Sequence, residues 1–211
     1  DQLYHHVKKF DKLFGGDYKK YDQKLPSQLI ITAFNILISI AKHCNYTKED
    51  IAIMEAMVAD IVYAYIAING DLVSLTSGTH ISGNSLTVIV NGICGSLNLR
   101  AAFYAHNPWN MKFRDNVALM TYGDDNLGSK SDNCNFSIIL ASKFLEKYGQ
   151  TYTMPNKTSE LSEYLESEDF EFLKRSTVYI PEIDCHVGAL QLDSIYKSLH
   201  MYLRGKQCEN S

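Results

Sequence analysis

The sequence predicts an α+β domain, an antiparallel β-sheet with helices packed against it. Two observations carry this. Long apolar stretches with helical character run over 27 to 43 and from about Ser85 to Tyr104. Two hairpin signals, Asn69-Gly70 and Gly123-Asp124, sit among strand-compatible residues. The chain has 211 residues, 45% apolar and 21% charged, which is enough for one domain with a sizeable core.

The elements follow in order. Residues 10 to 18 read as a short strand ending at Asp17. Pro26 suits a first helical position, so a helix is expected over Ser27 to His43. Lys48-Glu49-Asp50 opens a second helix, expected to end near Ala59. Residues 61 to 75 read as a hairpin turning at Asn69-Gly70. A polar loop from Thr76 to Gly83 precedes the long helix, which Asn107-Pro108 stops. Val117 to Ser129 forms a second hairpin. Asp132 or Asn133 then caps a helix ending at Gly149. Short strands are expected around Tyr152 and Phe170 to Leu173, and a helix over 188 to 204.

Composition narrows the function classes. A net charge of -4 argues against a self-sufficient nucleic-acid binder. Five widely spaced cysteines without a C-x-x-C pair argue against a zinc site or disulfide framework, and fit a reducing compartment. The stretch from Leu29 to Ala41 is too short to span a bilayer, and Ile51 to Ile68 carries Glu55 and Asp60, so no transmembrane segment is expected. The chain starts at Asp1 without a charged-then-apolar leader, and reads as a piece of a longer polypeptide without a signal peptide.

Four short motifs could carry chemistry. In Tyr122-Gly123-Asp124-Asp125, glycine permits a sharp turn and two carboxylates follow, a donor set suited to a hard divalent cation. Asp17 and Asp22 form a second acidic pair, with Asp17 at a strand end. In the run Ser82-Gly83-Asn84-Ser85-Leu86-Thr87, followed by Asn91, Thr87 and Asn91 are four apart and share a helix face. Phe172-Leu173-Lys174-Arg175 places basic residues at a strand end, where they can grip phosphates. Taken singly, each has an ordinary explanation: an exposed turn, a solvated loop, helix capping or a basic turn.

In this order, the four resemble palm motifs A, B, C and E of viral RNA-dependent RNA polymerases, and the Ser-Gly-Asn-Ser-Leu-Thr form is most similar to those of picornavirus-like positive-strand RNA viruses. The resemblance spans about residues 10 to 176 and implies a polymerase palm over 1–180, with part of a fingers insert at about 44–80. A truncated thumb would start at 181–211. It further implies RNA-templated RNA synthesis by a two-magnesium mechanism, with manganese as an alternative ion and the two ions about 3.5–4 Å apart. Asp17 and Asp124 would be the principal metal ligands, with Asp125 assisting. Asp22 and Asn91 would read the 2′-hydroxyl of the incoming nucleotide, which both donates and accepts, with Thr87 nearby. Ser82 and Gly83 would form a loop that moves with the template, and Lys174 and Arg175 would hold primer phosphates. Lys157 would be the general acid for pyrophosphate. The implied partners are RNA template and primer, ribonucleoside triphosphates and other viral replication proteins, without stable DNA binding. The implied location is the host cytoplasm, at replication membranes. The loop before Ser82 reads Thr-His-Ile where a proline-containing form is common, and no basic fingers segment precedes Asp17. The isolated piece is therefore expected to be inactive.

Three other readings stand beside this one. A reverse transcriptase shares a palm with paired aspartates, but Gly123 and Asn91 favour the RNA-making family by resemblance. A calcium loop starting at Asp124 would need Gly at 129 and Glu at 135, where the chain has Ser129 and Asn135. A non-catalytic, partner-binding fragment is the third.

Overall fold

The computed structural model describes residues 1–74, 83, 85–155, 160–166 and 171–200. Its centre is a four-stranded sheet in the order β4-β5-β1-β6, made of β1 (Lys12–Tyr18), β4 (Val117–Tyr122), β5 (Asp125–Lys130) and β6 (Tyr152–Thr153). Every recorded pairing within it is antiparallel. Chain order explains little of this arrangement. β1 pairs on one side with β5, Gly16 opposite Asn126, and on the other with β6, Asp17 opposite Thr153.

Helix α1 (Gln2–Val7) packs near β4. A single turn, α2 (Tyr21–Lys24), follows β1, and α3 (Ser27–His43) spans the residues that the apolar run predicts. Helix α4 (Lys48–Val62) is longer than expected. Thr47 and Asp50 close a reciprocal capping box at its start, and the helix then runs through Ile61 and Val62, whose β-branched side chains read as strand in the sequence. The hairpin that follows is correspondingly shorter, β2 (Tyr65–Ile68) and β3 (Asp71–Ser74), turning at Asn69-Gly70 as expected. Most of the expected polar loop at 76 to 83 lies outside the described residues.

Helix α5 (Thr87–Tyr104) packs on β4 and beside α3 and α7, and α6 (Phe113–Asn116) leads into β4. α7 (Ile138–Glu146) starts later than expected. Ser137 is its cap, its hydroxyl accepting from the Leu140 amide at 3.3 Å. Asp132 is engaged elsewhere, 2.7 Å from the Lys12 ammonium. Ser137→Ala is expected to lower stability by about 1 kcal/mol, read as a shift in the urea midpoint at unchanged slope.

A second sheet, β7 (Glu171–Phe172), β8 (Arg175–Ile180) and β9 (Cys185–Leu190), follows, and α8 (Leu192–His200) begins after it. The helix expected over 188 to 204 thus gives up its first residues to β9. The boundary expected at 180 falls inside the β8–β9 hairpin.

The core lies between the main sheet and its helices. Phe14, Phe103 and Phe136 meet there, the Phe14–Phe136 contact edge-to-face at 5.0 Å, with Leu99, Leu127, Ile138 and Leu145 around them. Burying rings of this size contributes about 1.5–3 kcal/mol each.

Candidate active site

The acidic residues gather at one end of the main sheet. β4 and β5 meet at the Tyr122–Asp125 pair, leaving Gly123 and Asp124 as a two-residue turn. Gly123 has φ +62, and Asp124 is outside the left-handed region, which is the type II′ pattern that favours glycine first. The turn presents Asp124 to solvent. The β1–β5 ladder ends at Gly16–Asn126, and Asp17 of β1 and Asp125 of β5 are the next residues outward on these neighbouring strands. Successive side chains of a strand alternate between faces, so the residues next to the facing Gly16–Asn126 pair fall on one side of the sheet.

The arrangement is open rather than caged. Among the described residues, Asp17, Asp124 and Asp125 do not close into a group with all ligand atoms within 4.8 Å of one another. The trio that does is exposed Asp1 and His5 with half-buried His186, a cluster tying α1 to β9. Adjacent strands stand about 4.8 Å apart, and a turn tip extends further, so separated carboxylates follow from the geometry. An open set of hard oxygens fits a divalent cation of the magnesium type, which takes one or two carboxylates and completes its shell with water and substrate phosphates.

Tyrosines and small residues hold this end together. Tyr21 of α2 is buried and its hydroxyl donates to the Asn91 carbonyl of α5 at 3.0 Å. Burial pushes that hydroxyl well above the ordinary tyrosine range, with nearby Tyr18, Cys94 and Asp124 adding to the shift. It therefore stays a donor. The bond ties the turn that carries Asp22 to the helix that carries Thr87 and Asn91. Gly92 and Gly95 lie on the side of α5 that meets this end: a Cβ at Gly92 would stand at ordinary contact distance, 3.4 Å from the Thr121 hydroxyl and 3.7 Å from the Gly123 nitrogen, and one at Gly95 3.4 Å from the Tyr21 hydroxyl.

A second network lies under Asp17. The Tyr152 hydroxyl donates to Asn126 Oδ1 at 2.5 Å, and Asn126 Nδ2 donates to the Gly16 carbonyl at 3.0 Å. Burial pushes the Tyr152 hydroxyl far up, with Tyr18 and Asp17 raising it further against the lowering effect of Asn126. Asp22, half-buried in the first turn of α2, accepts from the Gln23 amide at 3.0 Å through Oδ1. Thr87 opens α5 and Asn91 lies buried one turn on, sharing its face as the spacing predicts. Gly83 has φ +97.

Phe172 and Arg175 pair across a tight turn whose two central residues, Leu173 and Lys174, have φ +54 and +56. A type I′ turn needs those angles and usually takes Asn or Gly, so these residues hold local backbone strain. The Arg175 guanidinium donates to the Gly188 carbonyl at 2.8 Å, and Lys174 is exposed. Leu173 and Arg175 share a cleft of about 550 Å³ with Thr121 and Tyr122, which puts the basic turn beside the acidic hairpin. Ser82 and Lys157 lie outside the described residues.

The sequence does not single out Tyr21, Tyr152, Asn126 or Gly16. A tyrosine in an apolar setting reads as core, and Asn126 reads as one more residue of the strand after the turn. Only the pairing of β1 with two strands distant in sequence shows what they touch.

Sheet order, the acidic turn and the glycine-faced helix against it define a polymerase palm. The chain belongs to the viral RNA-dependent RNA polymerase family, whose model matches residues 1–198. It is 27% identical over 210 residues to the replicase polyprotein of cricket paralysis virus, covering 90% of this chain and 12% of that one. It is 30% identical over 237 residues to the RNA1 polyprotein of cherry rasp leaf virus, covering 96% of this chain and 10% of that one. Among solved structures, the sicinivirus 3Dpol RNA-dependent RNA polymerase superposes with a TM-score of 0.73 at 17% identity, over 94% of this chain and 42% of that one. The chain thus spans about an eighth of the first of these polyproteins and less than half of the solved polymerase. Family membership removes the reverse-transcriptase and calcium-loop alternatives. Polymerases of this family use divalent metal ions. Among the described residues, no helix is long and apolar enough to cross a membrane.

Proposed function

We propose that this chain forms the catalytic palm for RNA-templated RNA synthesis in viral genome replication. The observation that carries the reading is that Asp17 and Asp125 stand directly after the last β1–β5 pair, Gly16–Asn126, next to a glycine turn bearing Asp124. Bound magnesium or manganese, two ions in this reading, supplies activation of the primer 3′-hydroxyl and neutralisation of triphosphate charge. The chain's own residues do the rest. Asp17, Asp124 and Asp125 provide fixed negative charge on rigid strands and a tight turn. Asp22 and Asn91, tied through Tyr21, offer an acceptor and an amide to the ribose 2′-hydroxyl, with Thr87 beside them. Ser82 and Gly83 form the loop that follows the template, Lys174 and Arg175 hold primer phosphates, and Lys157 protonates the leaving pyrophosphate. The palm at 1–180, the fingers part at about 44–80 and the thumb from 181 belong to the same proposal. RNA, ribonucleoside triphosphates and other viral replication proteins are the partners. The proposed location is replication membranes in the host cytoplasm, supported by kinship to replicase polyproteins.

The test is primer extension on an RNA template by a polymerase that contains this palm with its flanking segments. Incorporation of ribonucleotides well above deoxyribonucleotides is the expected result, and preference for deoxyribonucleotides would sink the reading. Asp22→Ala is expected to lower that discrimination by about 100-fold or more, because the binding site no longer leaves a buried polar group unpaired when the hydroxyl is missing. The check is the ratio of kcat/KM for the two sugars.

A further inference from the structure

We infer that Tyr152 is a positioning residue, whose hydroxyl acts through Asn126 to hold Asp17 and Asp125 at the separation that binds a divalent cation; this rests on the function proposed above. Three observations converge on it. The bond from Tyr152 to Asn126 Oδ1 is 2.5 Å long, and that from Asn126 Nδ2 to the Gly16 carbonyl is 3.0 Å. All three residues are buried, so water does not compete for these bonds. The sequence leaves room for the ring at this spot. A Cβ on Gly16 would lie 2.3 Å from Tyr152 Cζ and 2.6 Å from its hydroxyl, closer than any side chain tolerates.

The relay spans the strands that carry the acidic residues. Gly16 precedes Asp17 on β1, Asn126 follows Asp125 on β5, and Tyr152 stands on β6, the other neighbour of β1. Asp17 pairs with Thr153, the next residue after Tyr152, and the Thr153 hydroxyl donates to the Asp17 carbonyl at 3.3 Å. The ladder pairing recorded between β1 and β5 stops at Gly16–Asn126. At that last pair the Asn126 side chain adds a bond across the two strands. Without the Tyr152 hydroxyl, the amide loses the partner that fixes its orientation. The carboxylates one step outward then sample a wider range of separations. Partners that orient metal ligands from behind typically change metal affinity by about 10- to 100-fold when removed.

The test uses this chain and Mn2+ as a spin probe, with free ion counted by electron paramagnetic resonance. Asp124→Asn identifies which binding belongs to the acidic end, as distinct from the Asp1, His5 and His186 cluster. Tyr152→Phe keeps the ring against Gly16 and removes the hydroxyl alone. Phe103→Leu loosens the core at the far end of α5 and serves as the stability control. The expected result is Mn2+ binding that Asp124→Asn removes and Tyr152→Phe weakens about tenfold, while Phe103→Leu lowers the melting temperature without changing affinity. Wild-type affinity in Tyr152→Phe, with Asp124→Asn still abolishing the binding, overturns the role of Tyr152 and leaves the proposed function standing. Equal weakening by Phe103→Leu overturns it as well, since general loosening would then suffice. Wild type and Asp124→Asn binding alike overturns both readings.

Discussion

Asp124→Asn is expected to reduce templated ribonucleotide incorporation by about a thousandfold or more, with little change in stability. The replacement keeps the size and shape of the side chain. Asp124 lies exposed at the tip of a turn whose unusual backbone belongs to Gly123, so the fold does not depend on its charge. Substitutions at such surface positions usually stay within about 0.5 kcal/mol. What changes is the field where phosphate charge must be neutralised. A neutral amide is a poor ligand for a hard cation, and removing one preorganised electrostatic group alone costs about 100- to 1,000-fold in rate. The measurement is single-nucleotide extension under saturating substrate, with urea midpoints of both proteins as the stability control. Unchanged synthesis would remove Asp124 from the chemistry and take the proposed function with it.

The second large effect is structural. Gly128→Ala is expected to destabilise the protein by about 3 kcal/mol or more, at or above the top of the usual range for overpacking. Gly128 stands in the inner strand β5, opposite Phe14 of β1 on one side and Leu119 of β4 on the other. A Cβ there would lie 2.4 Å from the Ala118 carbonyl oxygen and 2.6 Å from Phe14 Cζ. The first neighbour is backbone within a ladder and cannot rotate away. The second is a buried ring wedged against Phe136. Relief requires parting the strands, which would also pull Asp17 from Asp125. Loss of the cooperative urea transition, or a midpoint shift of that size, is the expected reading. A shift below about 1 kcal/mol would mean that β5 sits further from β4 than described.

The sequence makes the hairpins and long helices legible because their signals are local. Gly123 marks its turn, Asn69-Gly70 marks another, and the spacing of Thr87 and Asn91 needs only a helix to put both on one face. Elements set by distant partners are harder to read. Asp132 looks like a helix cap until Lys12, 120 positions earlier in the chain, engages it from β1. Ile61 and Val62 look like strand, but they close a helix whose last turn packs into the core, with Val62 fully buried. The turn at Leu173 and Lys174 carries no glycine, asparagine or proline, so nothing announces that β8 and β9 follow. In the site, the carboxylates stand out by their chemistry. Tyr152 and Asn126 do not, because their role depends on strands separated by most of the chain.

The central position of β1 has a consequence for how the protein is made. Gly16 meets Asn126 only 110 residues later. At synthesis rates of about 5–20 residues per second, β1 leaves the ribosome roughly 5 to 20 seconds before its partner exists. Through that interval it exposes Leu13 and Phe14 with both hydrogen-bonding edges open, the kind of nascent strand that chaperones bind and that aggregates when they do not. The acidic end of the palm therefore assembles late, and its yield in a cell depends on how well that first strand is shielded while it waits.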